Sequence, residues 1–289
     1  MRTLLVSLVI VGAIAGVLAQ EVSPTFEVAT IKQNKANDGG QFIRRTVTGL
    51  TVTNMPLRQL IVFAYQIAQF QLVGGPAWIA SDHFDMVAKL EGGRPTEAAP
   101  GQGADAMMLA MRPLLADRFK LKTHRETREM DIFTLVMAKP GGLPGPQLKQ
   151  STTDCQALAA ARRGGPPPGG PPGPPPTPAA GAPFCGVMGF PGRIRFGGFP
   201  ISQLAQMLNG QTGRMVVDRT GLTGNWEFEL TFAAEQRGQP PPGANIPAPD
   251  PDAPSLFTAL QEQLGLRLES TKGPVEVLVI DNVEHPTED

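Results

Sequence analysis

The residues that could do chemistry in this chain are few. Three histidines, His83, His124 and His285, stand without a second His, a Cys or a carboxylate at the spacing a metal ion requires. Asp82 and His83 are adjacent, but neighbours on a strand project from opposite faces. The reading is therefore no metal, no cofactor and no catalytic set. If the chain were a hydrolase, its acid and base would have to come from carboxylates such as Asp82, Asp85 or Glu126 converging in a cleft. The densest polar run, His124-Arg125-Glu126-Thr127-Arg128-Glu129, reads either as an anion or acid-base site or as a solvated hairpin tip, and alternating charge favours the tip. Trp78 and Trp226 could stack on a ligand, although core packing is the simpler account of an indole. Nucleophile elbows, phosphate loops and dinucleotide fingerprints are lacking.

The chain has 289 residues and a formal net charge of −1, so it carries no electrostatic footprint for nucleic acid. Its opening run, Arg2 followed by apolar residues from Leu4 to Leu18, has the form of a signal peptide cleaved near Ala19. The run is too short to span a bilayer. This reading predicts a periplasmic or secreted protein with no transmembrane segment after cleavage. In such a compartment the two cysteines, Cys155 and Cys185, are expected to form one disulfide.

Local pattern then places the elements. Phe26–Ile31 alternates as a strand, Phe42–Thr48 and Leu50–Val52 as a hairpin or bulged pair. Pro56 opens a helix with Leu57, Leu60, Ile61, Ala64, Ile67 and Ala68 on one face. Phe84–Ala88 is a strand, and residues 91–103 form a Gly/Pro/Ala-rich loop. A helix from about Asp105 to Arg118, interrupted by Pro113, presents Met108, Met111, Leu114 and Leu115. Phe119–His124 and Ile132–Ala138 are expected to pair across the polar turn at Glu126–Glu129. Residues 140–192 include GGPPPGGPPGPPPTP, which cannot bury enough apolar surface to pack.

Beyond that run the order recurs. Leu50, Val52, Met55, Pro56, Leu57, Gln59 and Leu60 match Ile194, Phe196, Phe199, Pro200, Ile201, Gln203 and Leu204. Trp78 aligns with Trp226, and Phe84-Asp85-Met86 with Phe228-Glu229-Leu230. Loops at 91–103 and 235–254 precede a second helix in each half, with Leu256, Phe257, Leu260 and Leu264 on one face of the later one. Leu266–Leu268 and Val275–Ile280 supply the closing strands. The expected architecture is α+β: two tandem duplicated lobes, each roughly ββαβαββ, at 20–139 and 193–289, joined by a Pro/Gly-rich linker at 140–192.

Two resemblances follow from these residues. Leu204–Leu208, Gln211-Thr212-Gly213, Val216-Val217-Asp218 and Leu260 through Leu266 resemble the short N-terminal domain of secretins and TonB-dependent receptors. That likeness implies a small periplasmic interaction module without enzymatic activity. Over nearly the whole mature length, Phe26–Lys32, Gly75–Trp78, Leu115–Phe119, His124–Glu129 and Pro274–Asp281 resemble a soil-associated, acidobacterial family of exported proteins of uncharacterised function. The expected role is a non-enzymatic protein binding an unknown protein or peptide of the cell envelope through sheet edges or the cleft between lobes. Trp78, His124, Arg125, Glu126, Gln211, Thr212 and Trp226 are its candidate surface.

Overall fold

The computed structural model describes residues 24–35, 40–46, 48–90, 106–153, 155, 184–190, 192–233 and 252–286. The expected signal peptide, the loop at 91–103, the Pro-rich run and most of the loop at 235–254 lie outside the described residues.

The described residues form three four-stranded sheets. The first comprises β1 (Phe26–Asn34), β2 (Phe42–Thr46), β3 (Gly49–Pro56) and β5 (His83–Leu90) in the order β1-β5-β3-β2, all antiparallel. The second comprises β7 (Lys149–Gln150), β8 (Gly186–Phe190), β9 (Arg193–Phe199) and β11 (Trp226–Thr231) in the order β7-β11-β9-β8. Two strands of this sheet thus come from within the stretch expected to be a linker. The third sheet is built on a long ribbon of β6 (Lys122–Met137) against β12 (Leu266–Asn282). It is flanked by β4 (Leu72–Gly74) on β12 and β10 (Val216–Asp218) on β6, both parallel.

The helices form where the apolar spacing places them. Pro56 and Pro200 precede α1 (Leu57–Tyr65) and α4 (Ile201–Thr212), at a position where extended backbone is required and no helical N–H is lost. α1 stops at Tyr65, short of Ile67 and Ala68, because Gln66 turns left-handed and caps it. α2 (Trp78–Ser81) is a single turn, and α3 (Ala106–Arg118) runs through Pro113. Its buried side chains are Met107, Ala110, Met111 and Leu115, whereas Met108 and Leu114 are half-buried. α5 (Leu256–Ala259) continues as a π-turn over Leu260–Leu264, and Phe257 is 47% exposed, set against Phe133 rather than in the core.

The ribbon corrects two expectations. Glu126–Glu129 is not a turn: β6 runs straight through it as one strand of 16 residues. The run lacks the Gly, Pro, Asn or Asp that a tight turn uses, and its charges are met across the ribbon, Arg125 by Glu276 and His124 by Asp281. Nor is either lobe self-contained. Leu278 and Ile280, at the far end of β12, enter the first core with Leu57, Ile61, Phe84 and Met111. Leu135 of β6 enters the second with Leu204, Phe228 and Leu264. Each half therefore completes the core of the other.

Strand register relates the two antiparallel sheets residue by residue. Val52 faces Met86 as Phe196 faces Phe228, and Met55 faces Phe84 as Phe199 faces Trp226. Phe84 thus stands where Trp226 stands, two residues away from its expected match with Phe228, and Trp78, expected to match Trp226, belongs to the separate turn α2. Lys32 faces Asp85 as Lys149 faces Glu227, so Ile31-Lys32-Gln33 corresponds to Leu148-Lys149-Gln150. A bulge interrupts both strands at the same place, where Asn54 (φ 51°) and Gly198 (φ 77°) are left-handed.

Candidate functional site

The sequence-predicted residues are spread over the molecule. Trp78 stacks on His285 with ring centroids 3.9 Å apart, and His285 Nε2 lies 3.1 Å from Asp82 Oδ2. Ser81 Oγ donates to the other oxygen of Asp82 at 3.0 Å. The hydrogen bond from His285 holds the Asp82 carboxyl below its ordinary range. These three side chains have the composition of a nucleophile triad in the wrong order: the carboxylate stands between Ser and His, and activation requires His beside Ser. His83 instead meets Gln41. Asp85 accepts Asn54 N at 2.8 Å and Asn34 Nδ2 at 3.3 Å.

On the ribbon, His124 Nδ1 lies 2.8 Å from Asp281, and that bond chiefly raises its pKa. Glu126 is paired with Arg128, which lowers its pKa, and lies 3.5 Å from His124. Arg125 pairs with Glu276. Gln211 and Thr212 form the last turn of α4 rather than a free turn; Thr212 Oγ1 donates to Leu208 O at 2.8 Å and Gly213 caps the helix. Trp226 is buried in the second core. Asp82, Asp85 and Glu126, the carboxylates considered for hydrolysis, are each tied into a different hydrogen-bond set. Among the described residues there is no cluster of three or more His, Cys, Asp or Glu arranged to hold a metal.

A cavity of about 370 Å³ opens on the outer face of the second sheet. Alternation along β11 buries Trp226, Phe228 and Leu230 and turns Glu227 and Glu229 outward. Arg195, facing Glu229 across β9, and Lys149, facing Glu227 across β7, complete the charged floor. The walls are Thr152 and Thr153 on one side and Phe184 on the other.

Thr152, Thr153 and Phe184 belong to the two arms of a covalent strap beside the cavity. Cys155 and Cys185 form the expected disulfide. It joins the chain leaving β7, at one edge of the sheet, to the chain entering β8, at the opposite edge. Ser151 N anchors the first arm to Asn225 O at 2.8 Å, and Ser151 Oγ accepts Thr153 N at 3.3 Å. The strap lies on Gly197 and Gly198: a Cβ at the first would overlap the Phe184 carbonyl, and at the second Cys155 Sγ. These glycines serve close approach of backbone and cystine.

Electrostatically the floor is unfinished. Arg193 pairs with Glu229 at 3.2 Å. Arg195 lies 4.5 Å over the Phe184 ring, a cation-π contact with no carboxylate partner. Among the described residues Lys149, Arg195 and Glu227 have no ion-pair partner. None of these was anticipated as a site residue. The available signal was Leu148-Lys149-Gln150 echoing Ile31-Lys32-Gln33, three residues isolated from the rest of their repeat by the Pro-rich run.

Fold and site together define a mixed α+β protein of two interlocked units, with a charged cavity beside a disulfide strap on the second. The chain belongs to the family described as Protein of unknown function (DUF3738), which it matches over residues 58–283. No curated protein and no solved structure matches it. Among the described residues no helix is long and apolar enough to cross a membrane, and a structural disulfide suits a compartment outside the reducing cytosol.

Proposed function

We propose that this protein is an exported, non-catalytic binding protein of the cell envelope that takes an extended protein or peptide segment along the open edges of its outer sheets. The carrying observation is that β2 and β8 close their sheets at corresponding positions and leave Phe42, Val187 and Met188 exposed. An edge strand offers alternate backbone N–H and C=O groups, to which an extended segment adds as a further strand. The separate engagement of Asp82, Asp85 and Glu126 supports binding over carboxylate hydrolysis.

Export rests on the form of residues 1–19 and on the cystine. The shared strand order and register of the two outer sheets support descent from a duplicated unit, whose second copy begins at Leu148 rather than after the Pro-rich run. The likeness of α4, its Gly213 cap and β10 to the short interaction domain of secretins and TonB-dependent receptors is part of the same reading.

Amide exchange of the signal-free chain, with and without extended peptides selected from a display library, tests the proposal. Added protection is expected at Phe42–Thr46 or Gly186–Phe190. Peptides that bind without protecting either edge would sink it.

A further inference from the structure

We propose that the cavity on the outer face of the second sheet, bordered by the arms of the cystine strap, binds the zwitterionic form of a short peptide, with the carboxylate on Lys149 and Arg195 and the ammonium on Glu227. This inference rests on the binding-protein reading and assigns it a second, chemically defined contact.

Charge is the first argument. Glu229 is satisfied by Arg193, which leaves two cations and one carboxylate on the floor without ionic partners among the described residues. A ligand bearing one carboxylate and one ammonium complements that set and forms charge-assisted hydrogen bonds at both ends. Thr152 adds a hydroxyl at the wall, and the Phe184 ring gives an apolar surface for a side chain. A volume of about 370 Å³ falls within the range of small-molecule sites, roughly 300–1,000 Å³.

The first unit supplies an internal control. There the counterpart of Glu227 is Asp85, and its carboxylate is consumed by Asn54 N and Asn34 Nδ2. The bulge residue whose amide it holds is Asn54; in the second unit that residue is Gly198, covered by the disulfide. The same strand position is thus closed by internal hydrogen bonds in one unit, and lines a cavity in the other.

Calorimetric titration of the full signal-free chain, cystine intact, with glycyl-phenylalanine, its C-terminal amide and its N-acetyl derivative tests the inference. The free dipeptide is expected to bind, and blocking either end to weaken it about tenfold or more. Glu227→Gln should abolish the preference for the free ammonium while preserving discrimination against the amide; Lys149→Met should weaken the carboxylate contact. Asp85→Asn should leave affinity unchanged. Unchanged secondary structure by circular dichroism establishes that E227Q is folded. The proposal is overturned if none of the three probes binds at millimolar concentration, or if the blocked forms bind as tightly as the free one. Either result leaves edge binding untouched, because that is read separately from the amides of β2 and β8.

Discussion

The outer faces of the two antiparallel sheets share a strand order and a register yet have opposite surfaces. On the first sheet the bulge residue is Asn54, which tolerates φ 51° because a short polar side chain relieves the left-handed conformation. Its amide is held by Asp85. On the second sheet the bulge residue is Gly198, and the missing side chain admits a disulfide. At corresponding register positions, Asn54 thus accompanies a sheet face that satisfies itself and Gly198 one that carries a cavity. Backbone geometry is common to both; what differs is whether the carboxylate beside the bulge is spent.

The largest expected effect bears on whether the units are separable at all. Leu135→Ala removes a fully buried side chain from the second core, at a cost of about 2–5 kcal/mol. Because β6 also seats the first unit's closing strands, urea unfolding should shift as one transition for probes placed in either half. Two separate transitions would break the interlocked picture.

The strap comes next. Replacing both Cys155 and Cys185 by Ala should lower stability by about 3.5–4 kcal/mol on the chain-entropy account of a loop of this length, measured by denaturation of the oxidised protein against the double variant. Gly198→Asn, which imports the first unit's residue, should cost about 1–3 kcal/mol through overlap with Cys155 Sγ. In the cysteine-free background that penalty should largely vanish, and a penalty that persists would mean the strap is not what Gly198 accommodates.

A pair of smaller changes separates the two carboxylates. Asp85→Asn should destabilise by about 1–3 kcal/mol, since it weakens the acceptor of a part-buried amide, whereas Glu227→Gln should change stability by less than about 0.5 kcal/mol. Equal costs in thermal denaturation would erase the distinction between spent and unspent positions.

The smallest effect is a pH dependence on the ribbon. The Asp281 hydrogen bond raises the pKa of His124 above its ordinary value of 6.5. The protonated form is therefore favoured on folding, so its contribution is complete below that value and is lost as pH rises through the raised pKa. His124→Gln should flatten the slope of stability against pH above 6.5. The exposed site and its sensitivity to salt keep the effect slight. A slope that is unchanged in the variant would remove His124 as its source.

What could be read from the residues was whatever depends on local spacing. The Pro56 and Pro200 helix starts, the β2–β3 hairpin and the cystine all follow from near neighbours or from chain-wide inventory. The ribbon did not, because its partners lie far apart: His124 meets Asp281 across 157 positions, and a charged run in isolation resembles a hairpin tip. The cavity was hidden for a related reason. Its floor takes Lys149 from before the Pro-rich run and Arg195, Glu227 and Glu229 from after it, and no window of sequence contains them together. Phe257 was misplaced because a π-turn follows α5 and rotates the helical face away from the 3.6-residue period.

The crossing strands also dictate an order of assembly. β4 has no partner until Leu278–Ile280 has been made, and the first hydrophobic core lacks those same residues until then. A chain emerging N-terminus first therefore cannot finish its first half ahead of its second. It must stay open to the end of synthesis and then close both halves in one slow, long-range step, with unpaired strand edges exposed to aggregation throughout the wait.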